Sequence, residues 1–229
     1  DTLRDMTRDA YAGFDHAAVV PLVEVEQDLY SLELFHGPTL AFKDMAMQML
    51  GRLFDHVLTQ RNQKVTIVGA TSGDTGSAAI EACRGRERLS VVILHPKGRT
   101  SEVQRRQMTT VPDDNILNIA VEGDFDTCQD MVKALFADTT FRDEVSLSAV
   151  NSINRARIAA QIPYYVWAAL AFCAPYRHLP FPVPPSQFGN VLAPLSVCQK
   201  GISLRSPFLC SCSNTTHHRI LFANDLRIS

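Results

Sequence analysis

Val65-Thr66-Ile67-Val68-Gly69-Ala70-Thr71-Ser72-Gly73-Asp74-Thr75-Gly76 is the stretch from which the architecture can be read. Its first four residues are β-branched and lead into Gly69 and Ala70 without a charged or amide side chain, the pattern of a parallel strand buried on both faces. A glycine-bearing turn follows at once, and the spacing predicts a helix over 77–84. Outward from this unit the same alternation repeats. Residues 91–95 read as a second buried strand, Lys97-Gly98-Arg99-Thr100-Ser101 opens a helix through Met108, and 116–121 read as a third strand. Residues 125–137 form an amphipathic helix with Phe125, Met131, Leu135 and Phe136 among its apolar positions, 145–150 read as a fourth strand, and 153–174 as a helix. Upstream lie a charged helix near 3–14, an extended or hairpin-like segment over 23–35, and a helix over 40–58 with apolar Leu40, Met47, Leu50, Phe54 and Leu58. Strands alternating with helices in this order argue for an α/β fold with a parallel sheet and right-handed crossovers.

The 229 residues, 46% hydrophobic and 20% charged, are enough for a sizeable core. The net charge of −2 supplies no basic field for nucleic acid. No apolar run reaches the roughly 18 residues that a membrane span needs, and the nearest, 158–174, is interrupted by Gln161 and Pro163. Asp1, Arg4, Asp5, Arg8 and Asp9 occupy the place of a signal-peptide core, so a cytoplasmic location is expected. Asp1 in place of an initiator methionine leads us to expect a chain that begins inside a longer protein. Residues 145–224 hold no acidic side chain, and beyond about Val191 serine and cysteine become frequent.

Four segments carry candidate chemistry. In His36-Gly37-Pro38-Thr39-Leu40-Ala41-Phe42-Lys43-Asp44-Met45, Lys43 sits between apolar residues at a helix entrance. Desolvation and the positive end of the dipole there disfavour its ammonium form, lowering its pKa from about 10.4 and suiting the amine to Schiff-base formation. The turn Thr71 to Gly76 collects hydroxyls and backbone N–H groups at a helix start, where an anion is welcome, although such turns also serve as turns alone. Asn151-Ser152-Ile153-Asn154-Arg155-Ala156-Arg157 combines amides, a hydroxyl and guanidinium groups at a strand-to-helix junction; it reads either as a phosphate site or as a capped helix with solvated arginines. Pro184-Pro185-Ser186-Gln187-Phe188-Gly189-Asn190 is a turn. His36, His95 and Lys97 are secondary candidates. Cys198, Cys210, Cys212, His217 and His218 fit no common zinc spacing, so no metal is expected, and Cys83, Cys128 and Cys173 read as buried small hydrophobes.

The segment around Lys43, the Thr71–Gly76 turn and the Asn151–Arg157 junction, in this order, closely resemble the threonine synthases, pyridoxal-phosphate enzymes of the tryptophan-synthase-β type. The resemblance implies a three-layer, fold type II parallel-sheet architecture, incomplete here. It implies pyridoxal 5'-phosphate as cofactor, held by Lys43 through a Schiff base, with Asp74 and the turn Ser186, Gln187, Phe188, Gly189 and Asn190 as further cofactor contacts. Thr71, Ser72, Gly73, Asp74 and Thr75 would take the substrate carboxylate. Asn151, Ser152, Asn154 and Arg157 would take the substrate phosphate.

The implied reaction converts O-phosphohomoserine and water to threonine and phosphate. Nucleic acid and membrane are not expected as partners. Arg155 stands where the family commonly has tryptophan, and Ser186 where it has a glycine. The implied layout is the end of an N-terminal domain over 1–35, a catalytic domain over 36–191 with a smaller subdomain over 53–149, and a divergent tail over 192–229, read either as a reading-frame shift over roughly 194–218 or as a degraded copy. Two other readings stand beside it: a related phospholyase, and a non-catalytic fragment.

Overall fold

Buried strands and helices follow one another much as the sequence predicts. In this computed structural model, which describes residues 2–27, 29–149, 155–171, 182–183, 193 and 209–210, the elements begin with α1 (Thr2–Tyr11), β1 (Leu22–Glu26), β2 (Leu29–Leu32), α2 (Lys43–Arg61) and β3 (Val65–Ala70). There follow α3 (Asp74–Cys83), β4 (Leu89–Pro96), α4 (Glu102–Thr109), β5 (Ile116–Val121), α5 (Phe125–Ala137), α6 (Thr139–Glu144) and β6 (Leu147–Ala149). The last are α7 (Arg155–Ala171), β7 (Pro182–Val183) and β8 (Leu209–Cys210). The chain divides into two units, Asp1–Pro21 with Glu33–Ser152, and Leu22–Leu32 with Ile153–Ser229.

The first unit is built on a four-stranded sheet of order β5-β4-β3-β6, parallel throughout. Successive residues of a strand face opposite ways, and β4 shows how this makes layers. Leu94 joins Val68 and Cys128 of α5 in a buried cluster with Val92, Val132 and Leu135 around it. Ile93, its neighbour, faces the other side, where Gly76 of α3 and Met108 of α4 lie. The sheet is thus covered on both faces, as a parallel sheet requires. Each such fully buried aliphatic side chain stabilises the fold by roughly 1.5–3 kcal/mol. Helix α2 packs on α3 at Gly51, where an added Cβ would stand 2.3 Å from the Ala82 carbonyl oxygen, so only glycine allows this approach. It ends at Asn62, which takes the left-handed conformation (φ 50°, ψ 44°) and donates its N–H to the Leu58 and Thr59 carbonyls.

The second unit contains the antiparallel hairpin β1–β2, the helix α7 and the parallel pair β7–β8. Tyr164, Tyr165, Ala168 and Ala169 of α7 are buried. Pro163 lies inside this helix, where it removes one backbone donor. Among the described residues no helix is long and apolar enough to cross a membrane.

The structure departs from expectation at three helices. The helix expected over 40–58 begins at Lys43, because Leu40 has φ 59° and is 63% exposed. The helix expected over 77–84 begins at Asp74, directly on the glycine turn. Helix α6 was not expected; Asp138 caps it by accepting the Phe141 N–H, and none of its residues is buried. The expected turn over 184–190, the junction 151–154 and nearly all of 192–229 lie outside the described residues.

Candidate active site

The approach to Lys43 is organised by its neighbour. Asp44, fully buried, accepts the Thr39 backbone N–H at 2.8 Å and the Thr39 hydroxyl at 2.7 Å. Burial pushes its carboxyl up despite these two donors. The loop of residues 37–41 is therefore drawn back onto the first turn of α2, and Leu40 is forced to the left-handed backbone, at a cost of about 1–2 kcal/mol. Phe42 follows as the N-cap, without a side-chain cap bond. On the far side, the Tyr11 hydroxyl donates to the Met45 carbonyl at 3.0 Å, tying α1 to the same turn.

Lys43 is the first residue of α2 and is 8% exposed. Its Nζ lies 5.7 Å from the centroid of the Phe42 ring and 3.6 Å from Oδ2 of Asp74. The sequence reading set only burial and the helix dipole against the ammonium; Asp74 adds a carboxylate that favours it. Two candidates from distant parts of the sequence, Lys43 and Asp74, are thus brought to one place. Asp74 opens α3 just beyond the carboxyl end of β3, the edge at which ligands bind in open α/β sheets.

The glycine turn is held from within. The buried Thr71 hydroxyl accepts the N–H groups of Gly73 and Gly76, each at 3.0 Å, and donates to the Gly73 carbonyl at 3.1 Å. Thr71 thus shapes the turn, while Ser72 is exposed and Asp74 and Thr75 are half-buried at its rim. Gly73 has φ 156°, and an added Cβ would stand 2.1 Å from Oε1 of Gln104. From α4, the Gln104 amide donates to Oδ1 of Asp74, and the Gln107 amide donates to the Thr39 carbonyl at 3.0 Å. The sequence reading did not single out Thr39, Gln104 or Gln107. Ser101-x-x-Gln104 has the spacing of a capping box, a signal for Gln104 that was available.

His95, at the end of β4, is buried; its Nδ1 has no hydrogen-bond partner, and burial first, then Arg105, holds its pKa down. His36 lies between Asp15 (2.6 Å) and Glu33 (2.7 Å), a structural clasp. Lys97 pairs with Glu122 at the surface.

In the other unit, Arg157 of α7 is buried with Nη1 unpartnered, and burial lowers its pKa. One turn further on, Gln161 Oε1 is also buried without a partner, so α7 carries a second buried polar group near the candidate Arg157. Asn151, Ser152, Asn154, Ser186, Gln187, Phe188, Gly189 and Asn190 lie outside the described residues. Among the described residues no group of His, Cys, Asp or Glu is arranged to hold a metal ion.

A buried primary amine beside a carboxylate, next to a helix start rich in N–H groups, suits a carbonyl-bearing, anionic ligand. Residues 17–180 match the family described as pyridoxal-phosphate dependent enzymes. The chain is 52% identical over 221 residues to the threonine synthase of Pseudomonas aeruginosa, covering 96% of this chain and 47% of that protein. It is 42% identical over 233 residues to the threonine synthase of Saccharomyces cerevisiae, covering 96% and 45%. Among solved structures, the PLP-bound threonine synthase of Brucella melitensis superposes with TM-score 0.87 at 50% identity, covering 91% of this chain and 45% of that one. The chain spans about half the length of the curated relatives it matches.

Proposed function

The chain belongs to the pyridoxal-phosphate dependent enzyme family, and from that premise we propose that it is the lysine-bearing part of a threonine synthase, converting O-phosphohomoserine and water to L-threonine and phosphate. The observation that carries this reading is the buried Lys43 amine 3.6 Å from Asp74, at the carboxyl edge of the parallel sheet. When bound, pyridoxal phosphate supplies an aldehyde that links to a primary amine and a ring that withdraws electrons.

The chain's residues do the rest. Lys43 would offer the linking amine, and its Nζ, when not so linked, would carry protons at the substrate's α and β carbons. Asp74 holds charge beside that nitrogen. The helix start of α3, with Ser72, Gly73 and Thr75, binds the substrate carboxylate, on a turn that Thr71 shapes from inside. Arg157, with Asn151, Ser152 and Asn154, takes the substrate phosphate, and its buried, unpartnered Nη1 supports an anionic ligand there. Ser186 to Asn190 serve the cofactor phosphate. Phosphate leaves the γ carbon, which takes up a proton to become a methyl group, and water adds its hydroxyl at the β carbon, so the atoms balance. Residues 36–191 make up the catalytic domain, and the protein works in the cytoplasm on a small-molecule substrate.

Two measurements test the reading. Pyridoxal phosphate added to the full chain is expected to give the visible absorbance of a protonated Schiff base, absent in Lys43→Ala. With O-phosphohomoserine the products are expected to be threonine and phosphate in equal amounts. A keto acid with ammonia instead would identify a phospholyase, and no Schiff base at all would identify a non-catalytic fragment.

A further inference from the structure

We propose that Gln104 is a positioning residue, which by holding one oxygen of Asp74 sets how closely the other approaches the Lys43 amine. Gln104 is itself fixed at both ends of its carboxamide. Its Oε1 accepts the Ser101 hydroxyl at 3.0 Å, and Ser101 in turn caps α4 by accepting the Gln104 N–H at 3.3 Å. Its Nε2 donates to Oδ1 of Asp74. Gly73, lacking a Cβ, is what lets this amide lie against the turn.

With Oδ1 restrained, Oδ2 stands 3.6 Å from Nζ, within range of charge attraction but beyond a hydrogen bond. A carboxylate released from Gln104 can close that gap and lock the lysine as an ammonium, which cannot attack an aldehyde. The other charged groups on the surrounding helices have their own partners: Asp44 holds Thr39, Glu81 accepts from Arg84, and Arg105 donates to Glu102. Asp74 is thus the carboxylate through which Gln104 acts. Gln107, one turn on, fixes the other wall by holding Thr39, so a single face of α4 spans both loops that flank Lys43.

This inference rests on the reading of Lys43 as the Schiff-base lysine, and its test separates the two. The full chain, stripped of cofactor, is mixed with pyridoxal phosphate across a pH series, and the product on Lys43 is trapped with borohydride and quantified by peptide mass. In Gln104→Ala the half-maximal pH of trapping is expected to rise by about one unit relative to wild type, the size of shift a nearby carboxylate produces. In the Asp74→Asn background, Gln104→Ala is expected to shift nothing. If Gln104→Ala loses its helical circular dichroism, Gln104→Met, which keeps the side chain's bulk, carries the same comparison. An unmoved profile, or an equal shift with and without the Asp74 carboxylate, overturns the role of Gln104 alone. Wild-type protein in which the trapped product sits on other lysines and none on Lys43 overturns the site reading and this inference with it.

Discussion

Thr39 gives both its backbone N–H and its hydroxyl to the buried carboxylate of Asp44, five residues on and across the entrance of α2. The pair fixes where the helix starts, and so where Lys43 is placed. Thr39→Val removes the hydroxyl and leaves a buried carboxylate oxygen without its donor. A loss of about 1–3 kcal/mol in unfolding free energy is expected from urea denaturation, with Thr39→Ser close to wild type. Equal stability of the valine and serine variants would refute the role given to the hydroxyl.

Gly73→Ala meets two obstacles, a φ of 156° and a carboxamide oxygen 2.1 Å from the new methyl group. A loss of about 1–3 kcal/mol is expected. Gly13→Ala, where an added Cβ meets nothing within 4 Å, is the control and is expected to stay within about 0.5 kcal/mol of wild type. Matching losses at the two positions would mean that the glycine turn tolerates a side chain.

His36 ties the segment after α1 to the loop before α2. Its hydrogen bond to Glu33, and then the bond to and charge of Asp15, raise its pKa above the usual 6.5. A raised histidine pKa makes a stabilising contribution that is complete below the unfolded value and is lost as pH rises through the folded one. The stability advantage of wild type over His36→Gln is therefore expected to be greatest below pH 6.5 and to fall as the solution becomes alkaline. Urea midpoints of both proteins at several pH values measure this, and a constant difference would remove the clasp as its cause.

Cys83, buried in α3, has its thiol pushed up to about 12 by burial. It is expected to resist iodoacetamide at pH 8 in the folded protein and to react fully in urea, since the thiolate is the nucleophile. Peptide mass mapping reads both states. Rapid labelling in the folded protein would mean that α3 opens far more readily than its packing implies.

Legibility in the sequence follows what each element buries. Val65–Ala70 and Phe125–Ala137 coincide with their expected bounds, since burial on two faces or one writes itself directly into residue order. The start of α2 is misread because Leu40 is apolar and falls in register, yet Asp44 draws Thr39 back and turns Leu40 out to solvent. Helix α6 buries none of its residues and so leaves no period to find. In the site, Lys43 and Asp74 are each visible as motif residues. Their 3.6 Å pairing is not, because it is fixed by how α2 and α3 pack at Gly51. Gln104 carries a capping-box spacing, but its amide goes to Asp74 and to the Ser101 hydroxyl.

The sheet order β5-β4-β3-β6 has a consequence for synthesis. Strands β3, β4 and β5 join through single-helix crossovers and can pair as they emerge, whereas β6 reaches β3 only after all of them. Until Leu147–Ala149 arrive, β3 carries a bare edge of backbone donors and acceptors, right beside the turn that positions Asp74. A ribosome paused before that point would hold out an aggregation-prone strand, so the few residues of β6 cover an exposed edge of the nascent chain as well as pair with β3.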